Sequence, residues 1–427
     1  MNTKKRKLVL LSLDAMIKED VEYLFDKPLV KKILQEGVWI KTLRTVYPAN
    51  TYPCHASMIT GAYPYKTGVD TNYYDNTTDW RVERSNIKIK TLIDYAKEAG
   101  YTTANVFWPV MAGDKNIDYN IAEFPSHYNN LIPKLKEGGT SDDVLEKVVN
   151  PNMHFLEEDK TMPHNATHFI FSCAKDMLLQ YKPDILLIHP CPLDDQRHKD
   201  GVFSDGVTDA LELSYKYIEE LYDAIKQNGD EDNTDFVWMS DHGQFTIEYW
   251  YRFLVELKDA GLIDAGKNGE PITKSVSVKI FNSSLMLKAL DKNAYDKLLA
   301  IINDSIARKT GITVYTHAEA FEKLHTDGDF DFLIDTDGSC GIGKEACLDN
   351  LGNIYSTVAP NVKRKVGTHG YSPDIMYQPT LLAIGPDFNK NVVLERMETV
   401  NVPVTIAKCL GLVLEDADGI VIDEILK

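Results

Sequence analysis

The stretch at residues 7–14, KLVLLSLD, decides the fold: basic side chains lead into an apolar run that ends at an aspartate. The apolar part covers only residues 8–13, whereas a secretory signal peptide needs an apolar region of about 7–15 residues and a small-residue cleavage site. A short run rich in Leu and Val is typical of a strand buried on both faces of a sheet. The stretch therefore predicts a buried strand that ends at Asp14.

Further apolar runs alternate with helical stretches along the chain. They lie at residues 38–45, 102–107, 185–189, 236–240 and 380–385. Strands separated by helices form βαβ units, whose mostly parallel sheet is covered by helices on both faces. The pattern predicts an α/β fold.

The sequence pattern changes between about residues 250 and 365. Short strand-like pieces lie there between turns, at residues 276–280, 284–287, 312–315, 330–334 and 354–356. We predict a catalytic α/β core made of residues 1–250 and 366–427. Residues 251–365 are predicted to form a smaller inserted α+β subdomain.

Composition restricts the class of function. The net charge is −18 over 427 residues, and an acidic surface of this kind repels nucleic-acid phosphates, which argues against duplex binding. No stretch reaches the roughly 18 apolar residues of a membrane span.

The six cysteines are scattered, which favours a reducing compartment, and we expect a cytoplasmic location. Cys340 and Cys347 could pair, although two free thiols are favoured.

Side chains suited to metal binding and nucleophilic attack lie near the sheet edge where α/β proteins bind ligands. They are Asp14, Thr51, Asp194, His198, Asp241, His242 and His369. Most of them follow a predicted strand, whereas Thr51 opens a helix and His369 precedes the strand at 380–385. Each alone has an ordinary alternative, such as a helix N-cap for Asp14 or Thr51. Together, carboxylates and imidazoles without a thiolate suit two ions of the Zn²⁺ type. Two such ions can promote displacement at phosphorus and activate the Thr51 hydroxyl.

Several motifs resemble those of one family. Residues 45–64, TVYPANTYPCHASMITGAYP, are similar to the nucleophile segment of the nucleotide pyrophosphatase/phosphodiesterase family, within the alkaline phosphatase superfamily. Other similar segments follow in family order: GVDTNYYD at 68–75, FWP at 107–109, SDHG at 240–243, GTHGY at 367–371, and a closing helix and turn at 404–412 and 416–419. The resemblance implies an alkaline-phosphatase-like three-layer sandwich and a metal-dependent hydrolase of phosphodiester or pyrophosphate bonds.

The resemblance also implies roles for the matching residues. One ion would be held by Asp14, Thr51, Asp241 and His242, and the other by Asp194, His198 and His369. Thr51 would attack phosphorus and form a phosphothreonine, while Asn72 and the backbone N–H of Tyr52 would donate to a phosphoryl oxygen. The ions would be Zn²⁺, with Mn²⁺ as the alternative. The substrate would be a small phosphodiester or nucleotide-like ester, in a pocket shaped by Tyr52, Tyr74 and His189.

The chain departs from the family pattern in two places. Asp195 stands beside Asp194, but only Asp194 has the expected four-residue spacing to His198. In nucleotide-cleaving members an aromatic residue stands about five residues before that aspartate, where this chain has His189. We therefore expect only a modest preference among nucleobases.

Alternative functions stay open at this point. One is a phosphomonoesterase or phosphonate hydrolase of the same superfamily, and another is a metal-binding relative without activity. A monoesterase would commonly place Arg or Lys close to the nucleophile; none adjoins Thr51 closely, although Lys66 and Arg44 are near in sequence. The neutral donor Asn72 fits the single charge of a diester better. A sulfatase is disfavoured because Cys54 is followed by His-Ala-Ser.

Overall fold

The computed structural model describes residues 5–74, 77–125, 130–157, 163–281, 283–348, 353, 355–357 and 367–427. The strands of this part are β1 Lys7–Ser12, β2 Val38–Arg44, β3 Thr103–Val106, β4 Tyr119–Ile121, β5 Ile185–Ile188, β6 Thr234–Met239, β7 Phe245–Thr246, β8 Tyr249–Tyr251, β9 Ile263–Ala265, β10 Pro271–Thr273, β11 Val276–Phe281, β12 Ser284–Ala289, β13 Ile312–Thr316, β14 Phe332–Thr336, β15 Gly341–Ile342, β16 Tyr355–Thr357, β17 Gly367–Thr368, β18 Leu381–Ile384 and β19 Val392–Glu398.

The α-helices of the same part are α1 Lys18–Tyr23, α2 Pro28–Glu36, α3 Thr51–Thr60, α4 Pro64–Thr67, α5 Leu92–Glu98, α6 Leu131–Glu137, α7 Asp142–Val144, α8 Asn150–Asn152, α9 His154–Glu157, α10 Pro163–Gln180, α11 Pro192–Asp200, α12 Asp205–Gln227, α13 Phe253–Asp259, α14 Lys292–Ala307, α15 His317–Leu324 and α16 Asn401–Cys409. A π-helical turn, Leu145–Val149, joins α7 to α8.

An eight-stranded sheet forms the middle of the fold, in the order β19-β2-β18-β6-β1-β5-β3-β4. β18 runs antiparallel to both of its neighbours, and the other pairings in the sheet are parallel. The predicted mostly parallel sheet and its six predicted strands are confirmed. The two edge strands escape the sequence pattern, because β4 has three residues and β19 mixes apolar with charged side chains.

Alternate side chains of β1 pack into two separate cores. Leu8 and Leu10 join a cluster on one face of the sheet, with residues of α3, α5 and α16. Val9 and Leu11 join a cluster on the other face, with residues of α2, α10 and α12. Burying a side chain of this size contributes about 1.5–3 kcal/mol. The sheet is therefore the central layer between two layers of helices, as predicted.

A second sheet, β11-β12-β14-β13, is antiparallel throughout. Its core includes side chains of α14 together with Ala49 and Tyr371, which lie two residues from Thr51 and His369. This sheet therefore stands next to the carboxyl edge of the main sheet. Four of the five short strands predicted in this segment form with small shifts, while the fifth, at 354–356, includes a residue outside the described part.

The boundary between core and insert stays a proposal. β8 spans the predicted boundary at residue 250 and pairs with β15 and β16, which belong to the insert. All six cysteines are free, so Cys340 and Cys347 are not paired with each other. Within the described ranges, no helix is both long and apolar enough to cross a bilayer.

Candidate active site

The first group of candidate residues lies at the ends of two neighbouring parallel strands. β1 and β6 pair in parallel, and Asp14 and Asp241 lie just beyond their last residues. Nε2 of His242 lies 3.5 Å from Oδ1 of Asp14 and 3.3 Å from Oδ2 of Asp241. Oγ1 of Thr51 lies 3.4 Å from the same nitrogen. These four side chains, which we call the first group, therefore converge on one point.

Thr51 is the first residue of α3. The backbone of Asn50, directly before it, is extended, so the helix begins at Thr51 itself. All residues of α3 are buried, and the Thr51 side chain keeps only 9% of its exposure. The amino end of a helix carries roughly half a positive charge. An anion forming at the Thr51 oxygen is therefore favoured by the position of that residue.

The second group consists of Asp194, His198 and His369. Asp194 and His198 are four residues apart on α11, so one face of the helix carries both. Nε2 of His198 lies 3.3 Å from Oδ2 of Asp194, and Nε2 of His369 lies 3.4 Å from Oδ1. His369 precedes β18, whose antiparallel direction brings its beginning to the edge where the parallel strands end. This reversal explains how a residue before a strand joins residues that follow theirs.

Backbone carbonyls determine the tautomers of the three histidines in the two groups. Nδ1 lies 2.8 Å from the Gly367 oxygen in His198, 3.2 Å from the Gly243 oxygen in His242 and 3.1 Å from the Ala49 oxygen in His369. A carbonyl only accepts, so each Nδ1 carries the proton and each Nε2 presents a lone pair. Nε2 of His198 and Nε2 of His369 face each other at 3.1 Å. Two lone pairs at this distance would repel, so the metal-free pair holds a proton between the two nitrogens, and a cation bound by both takes the place of that proton.

Arg197 connects the two groups through buried contacts. Its side chain is fully buried, donates to the carbonyl of Ala15 and pairs with Asp20 at 2.7 Å. Ala15 follows Asp14, and Arg197 precedes His198, so this contact ties one residue of each group to the other. Removing one partner of a buried pair is strongly destabilising. Arg197 is therefore a structural support of the site that the sequence motifs do not mark.

The two groups differ in electrostatics. Burial and the nearby carboxylate of Asp241 raise the pKa of Asp14 well above its usual range. Burial also acts to raise the pKa of Asp194, but His198 and His369 outweigh it and hold that pKa well below its usual range. Within the described ranges, Oδ1 of Asp14 and Oδ2 of Asp241 are buried without a hydrogen-bond partner. Buried carboxylate oxygens beside a nitrogen lone pair fit a divalent cation.

Asn72 lies beside the first turn of α3. Its Oδ1 accepts the backbone N–H of Tyr52 at 3.0 Å. This differs from the expectation that the Tyr52 N–H donates to a substrate alongside Asn72, because the N–H already has an acceptor. Since Oδ1 is the accepting atom, Nδ2 is the atom of Asn72 that can donate to a ligand.

His189 and Tyr52 lie deeper than the resemblance implies. His189 is 1% exposed, and its Nε2 lies 3.2 Å from Oδ2 of Asp14. Tyr52 is fully buried, and its ring is 5.2 Å from that of Trp80. Both were expected to shape the substrate pocket. Instead they pack beneath the candidate site, because other elements cover α3 and the end of β5.

Tyr73 is an exposed ring beside Asn72 that the sequence motifs did not single out. It is 39% exposed, and burial of its remainder together with the charge of Asp194 raises its pKa. Tyr74, which was expected to shape the pocket, is similarly exposed, but its hydroxyl donates to Glu83 at 2.6 Å. The aromatic pair directly after Asn72 was the available signal, and the structure favours its first member.

The described side chains include several sets that could hold a metal ion. Three overlap at the sheet edge: Asp14, Asp241 and His242; Asp194, His198 and His369; and His55, His189 and Asp241. A fourth, formed by Asp235, Asp387 and Cys409, includes a residue near the opposite end of β6. The first two sets match the predicted ligands apart from Thr51. Their nitrogen and oxygen donors suit Zn²⁺ or a similar ion.

Residues 8–372 match the model of a family described as type I phosphodiesterase / nucleotide pyrophosphatase. The chain belongs to this family. It is therefore a metal-dependent hydrolase of the phosphodiesterase and nucleotide pyrophosphatase kind, as the resemblance implied.

Curated relatives in the family extend over most of the chain. Mouse ectonucleotide pyrophosphatase/phosphodiesterase family member 7 is 22% identical over 434 residues, which cover 97% of this chain and 86% of the relative. Venom phosphodiesterase 2 of Crotalus adamanteus is 24% identical over 229 residues, which cover 52% of this chain and 24% of the relative. These names describe extracellular proteins, so the cytoplasmic location expected for this chain stays a prediction.

Solved structures of family members share the fold. Human ectonucleotide pyrophosphatase/phosphodiesterase 5 aligns with a TM-score of 0.70 at 16% identity, covering 99% of this chain and 100% of that one. An inactive threonine-to-alanine variant of the murine protein, in complex with AMP, aligns with a TM-score of 0.68 at 16% identity and the same coverage. At this identity the likeness concerns the fold, and it confirms the alkaline-phosphatase-like architecture.

Proposed function

We propose that this chain hydrolyses small phosphodiester or pyrophosphate substrates with two divalent cations and the Thr51 hydroxyl. Asp14, Thr51, Asp241 and His242 hold the first cation, and Asp194, His198 and His369 hold the second. The expected ion is Zn²⁺, with Mn²⁺ as the alternative. Such a pair of cations supplies Lewis-acid stabilisation of the attacking and leaving oxygens.

One observation carries this proposal. Three imidazoles donate Nδ1–H to carbonyls and turn their Nε2 lone pairs toward the carboxylates of the two groups. Ligating histidines typically donate the other ring N–H in this way, which orients the ring for the metal. The 3.1 Å between the two Nε2 atoms of the second group is close to the separation of two nitrogens bound to one Zn²⁺ at about 2.0–2.1 Å.

Thr51 is the nucleophile of the proposed reaction. Its oxygen attacks phosphorus, so a Thr51–phosphorus bond forms while the bond to the leaving oxygen breaks. The proton of Thr51 passes to solvent water before or during this attack, the amino end of α3 stabilises the resulting anion, and the leaving oxygen departs as an anion that solvent can protonate. Water then attacks the phosphothreonine, releases the phosphate product and restores the hydroxyl.

Asn72 supplies a neutral hydrogen bond in the same proposal. Its Oδ1 is held by the Tyr52 N–H, and this bond orients Nδ2 as the donor to a non-bridging phosphoryl oxygen. A donor that acts on transition-state charge contributes about 10²–10³ in rate. Asn72 thus takes the donor role that the resemblance implied.

A diester fits the proposed site better than a monoester. Two cations contribute about +4, which three carboxylates and an ionised Thr51 balance, so a singly charged diester needs no additional cation. Two basic residues near Thr51 in sequence have other partners: Lys66 pairs with Asp418 at 2.9 Å and Arg44 with Asp374 at 2.8 Å. A monoesterase or phosphonate hydrolase of the superfamily is therefore the second candidate.

The nucleotide-like part of the substrate is placed beside Tyr73 in this proposal. The ring is exposed next to Asn72, and an exposed aromatic face can stack on a planar base. The complex of a murine family member with AMP is consistent with a ligand of this class.

The test compares rates with bis-para-nitrophenyl phosphate, para-nitrophenyl phosphate and a para-nitrophenyl ester of a nucleotide, each with and without Zn²⁺. We expect a higher kcat/KM for diesters than for the monoester, and activity only with metal. A higher kcat/KM for the monoester than for its matched diester would favour the second candidate. No hydrolysis of any ester by a Zn²⁺-loaded sample would favour a metal-binding relative without activity.

A further inference from the structure

His189 follows the buried strand β5, at the position where the resemblance predicts an aromatic ring. In this chain the side chain is 1% exposed and packs against His55, with 4.2 Å between ring centroids. A polar ring buried this deeply needs a hydrogen-bond partner. The partner identifies what this residue does.

Nε2 of His189 lies 3.2 Å from Oδ2 of Asp14. When a cation in the first group keeps Asp14 ionised, its carboxylate only accepts, so Nε2 of His189 carries the proton and donates it to Asp14. The other oxygen, Oδ1, is buried without a hydrogen-bond partner among the described residues and faces His242 at 3.5 Å. Asp14 therefore has one oxygen held by His189 and one directed into the first group.

The same hydrogen bond argues against His189 as a metal ligand. His55, His189 and Asp241 stand close enough to hold an ion, but a ring nitrogen that donates to Asp14 has no lone pair for one. Its other nitrogen, Nδ1, faces Glu123 at 3.8 Å, on the side away from Asp14. Burial raises the pKa of Glu123 to about 8, so a protonated carboxyl faces that nitrogen at neutral pH.

We propose that His189 is a positioning residue, which holds Oδ2 of Asp14 and thereby presents Oδ1 to the cation of the first group. This inference rests on the proposed function, because it assumes that the first group binds a cation. Residues that orient a ligand in this way typically change metal affinity by about 10–100-fold when they are substituted.

The test uses His189→Phe and His189→Gln in the full chain. Phenylalanine keeps a planar ring and removes the donor, whereas the glutamine amide can place an N–H near the position of Nε2. Zn²⁺ affinity is measured by competition with a chromophoric chelator, Zn²⁺ content by elemental analysis, and Tm in the metal-free state. We expect His189→Phe to weaken one of two Zn²⁺ sites by about 10–100-fold, with a metal-free Tm close to that of wild type.

The conservative variant His189→Gln distinguishes a role in orienting Asp14 from a role in packing alone. His189→Gln should restore most of the lost affinity, and His168→Phe, a control at a histidine that bonds to Tyr217, should leave both sites unchanged. Equal Zn²⁺ affinity at both sites in wild type and His189→Phe would overturn the inference and leave the proposed function standing. Loss of one bound ion in both His189 variants would overturn it in favour of direct ligation. A wild-type protein that binds no Zn²⁺ would overturn the proposed function first.

Discussion

The two groups of the candidate site are built in different ways. The first group takes Asp14 and Asp241 from the ends of two hydrogen-bonded strands, and both side chains are almost fully buried. The second group takes its residues from α11 and from the segment before β18, and His198 and His369 keep 9% and 8% of their exposure. The first group is therefore anchored at the ends of two central strands, while the second is built on α11 and on the segment before β18.

Charge separates the groups further. Two carboxylates share one imidazole in the first group, and the pKa of Asp14 rises because burial and Asp241 oppose its ionisation. One carboxylate is shared by two imidazoles in the second group, and the pKa of Asp194 falls because these rings outweigh its burial. Repulsion in the first group is relieved by a cation. Two carboxylates attract a divalent cation more strongly than one carboxylate does, so we expect the first group to bind its ion more tightly than the second.

Metal removal should have the largest effect on activity. A chelator is expected to abolish hydrolysis and added Zn²⁺ or Mn²⁺ to restore it, because all of the proposed ligands serve the cations. Titration of the stripped protein with Zn²⁺ should show a tighter and a weaker site. Asp241→Asn should weaken the tighter site and His369→Gln the weaker one. Full activity in a sample shown by elemental analysis to lack metal would contradict the two-metal proposal.

Substitution of Thr51 should have the next largest effect and should act on chemistry. Thr51→Ala is expected to reduce kcat by several orders of magnitude, because the covalent step is lost, whereas Thr51→Ser keeps a hydroxyl and some activity. Mass spectrometry of quenched reactions should detect a phosphorylated peptide in wild type and not in Thr51→Ala. Thr60→Ala, at the other end of α3, is the matched control. Near-normal turnover by Thr51→Ala with full metal content would indicate direct attack by water.

The contrast between predicted and unpredicted strands has a physical reason. β1, β5 and β6 are almost entirely buried, so each is a continuous apolar run that stands out in the sequence. β19 lies at the edge of the sheet, where charged side chains such as Glu395 and Arg396 interrupt the apolar pattern. Edge strands face solvent on more sides, and their sequence signal is correspondingly weaker.

The candidate site was likewise only partly predictable from the sequence. Asp14, Asp241 and the other candidate ligands could be picked out because each stands near a strand end, and strand direction brings these ends together. The depth of Tyr52 could not be predicted, since α3 is buried on every side and shows no polar face. The position of His189 could not be predicted either, because its contact with Asp14 joins residues 175 apart in the chain.

Asn72 belongs to neither group, which makes it a test of chemistry without loss of a proposed metal ligand. Asn72→Ala should lower kcat by about 10²–10³ and change KM less, because the lost hydrogen bond acts mainly on charge that develops in the transition state. Zn²⁺ content should stay at the wild-type value. Asn86→Ala, a nearby amide that donates to the Tyr74 hydroxyl, is the control. A change in KM alone, with kcat preserved, would assign Asn72 to substrate binding only.

The smallest expected effect concerns the pH dependence of stability and involves Asp335. This buried carboxyl belongs to neither group and lacks the imidazoles that surround Asp194. It lies in β14, accepts the backbone N–H groups of Thr336 and Ser372, and burial raises its pKa from 3.8 to about 7. The folded state therefore keeps a proton that the unfolded state releases near pH 4, so this stabilisation is present below that pH and is lost as the pH rises through about 7. Asp335→Asn removes the titrating proton while its amide oxygen can still accept one of the two N–H groups, and it should reduce the fall in Tm between about pH 5 and about pH 8 by a few degrees. Thermal unfolding in chelator, with the exposed Asp329→Asn as control, measures this difference. An identical pH dependence in Asp335→Asn and wild type would mean that Asp335 stays ionised in the fold.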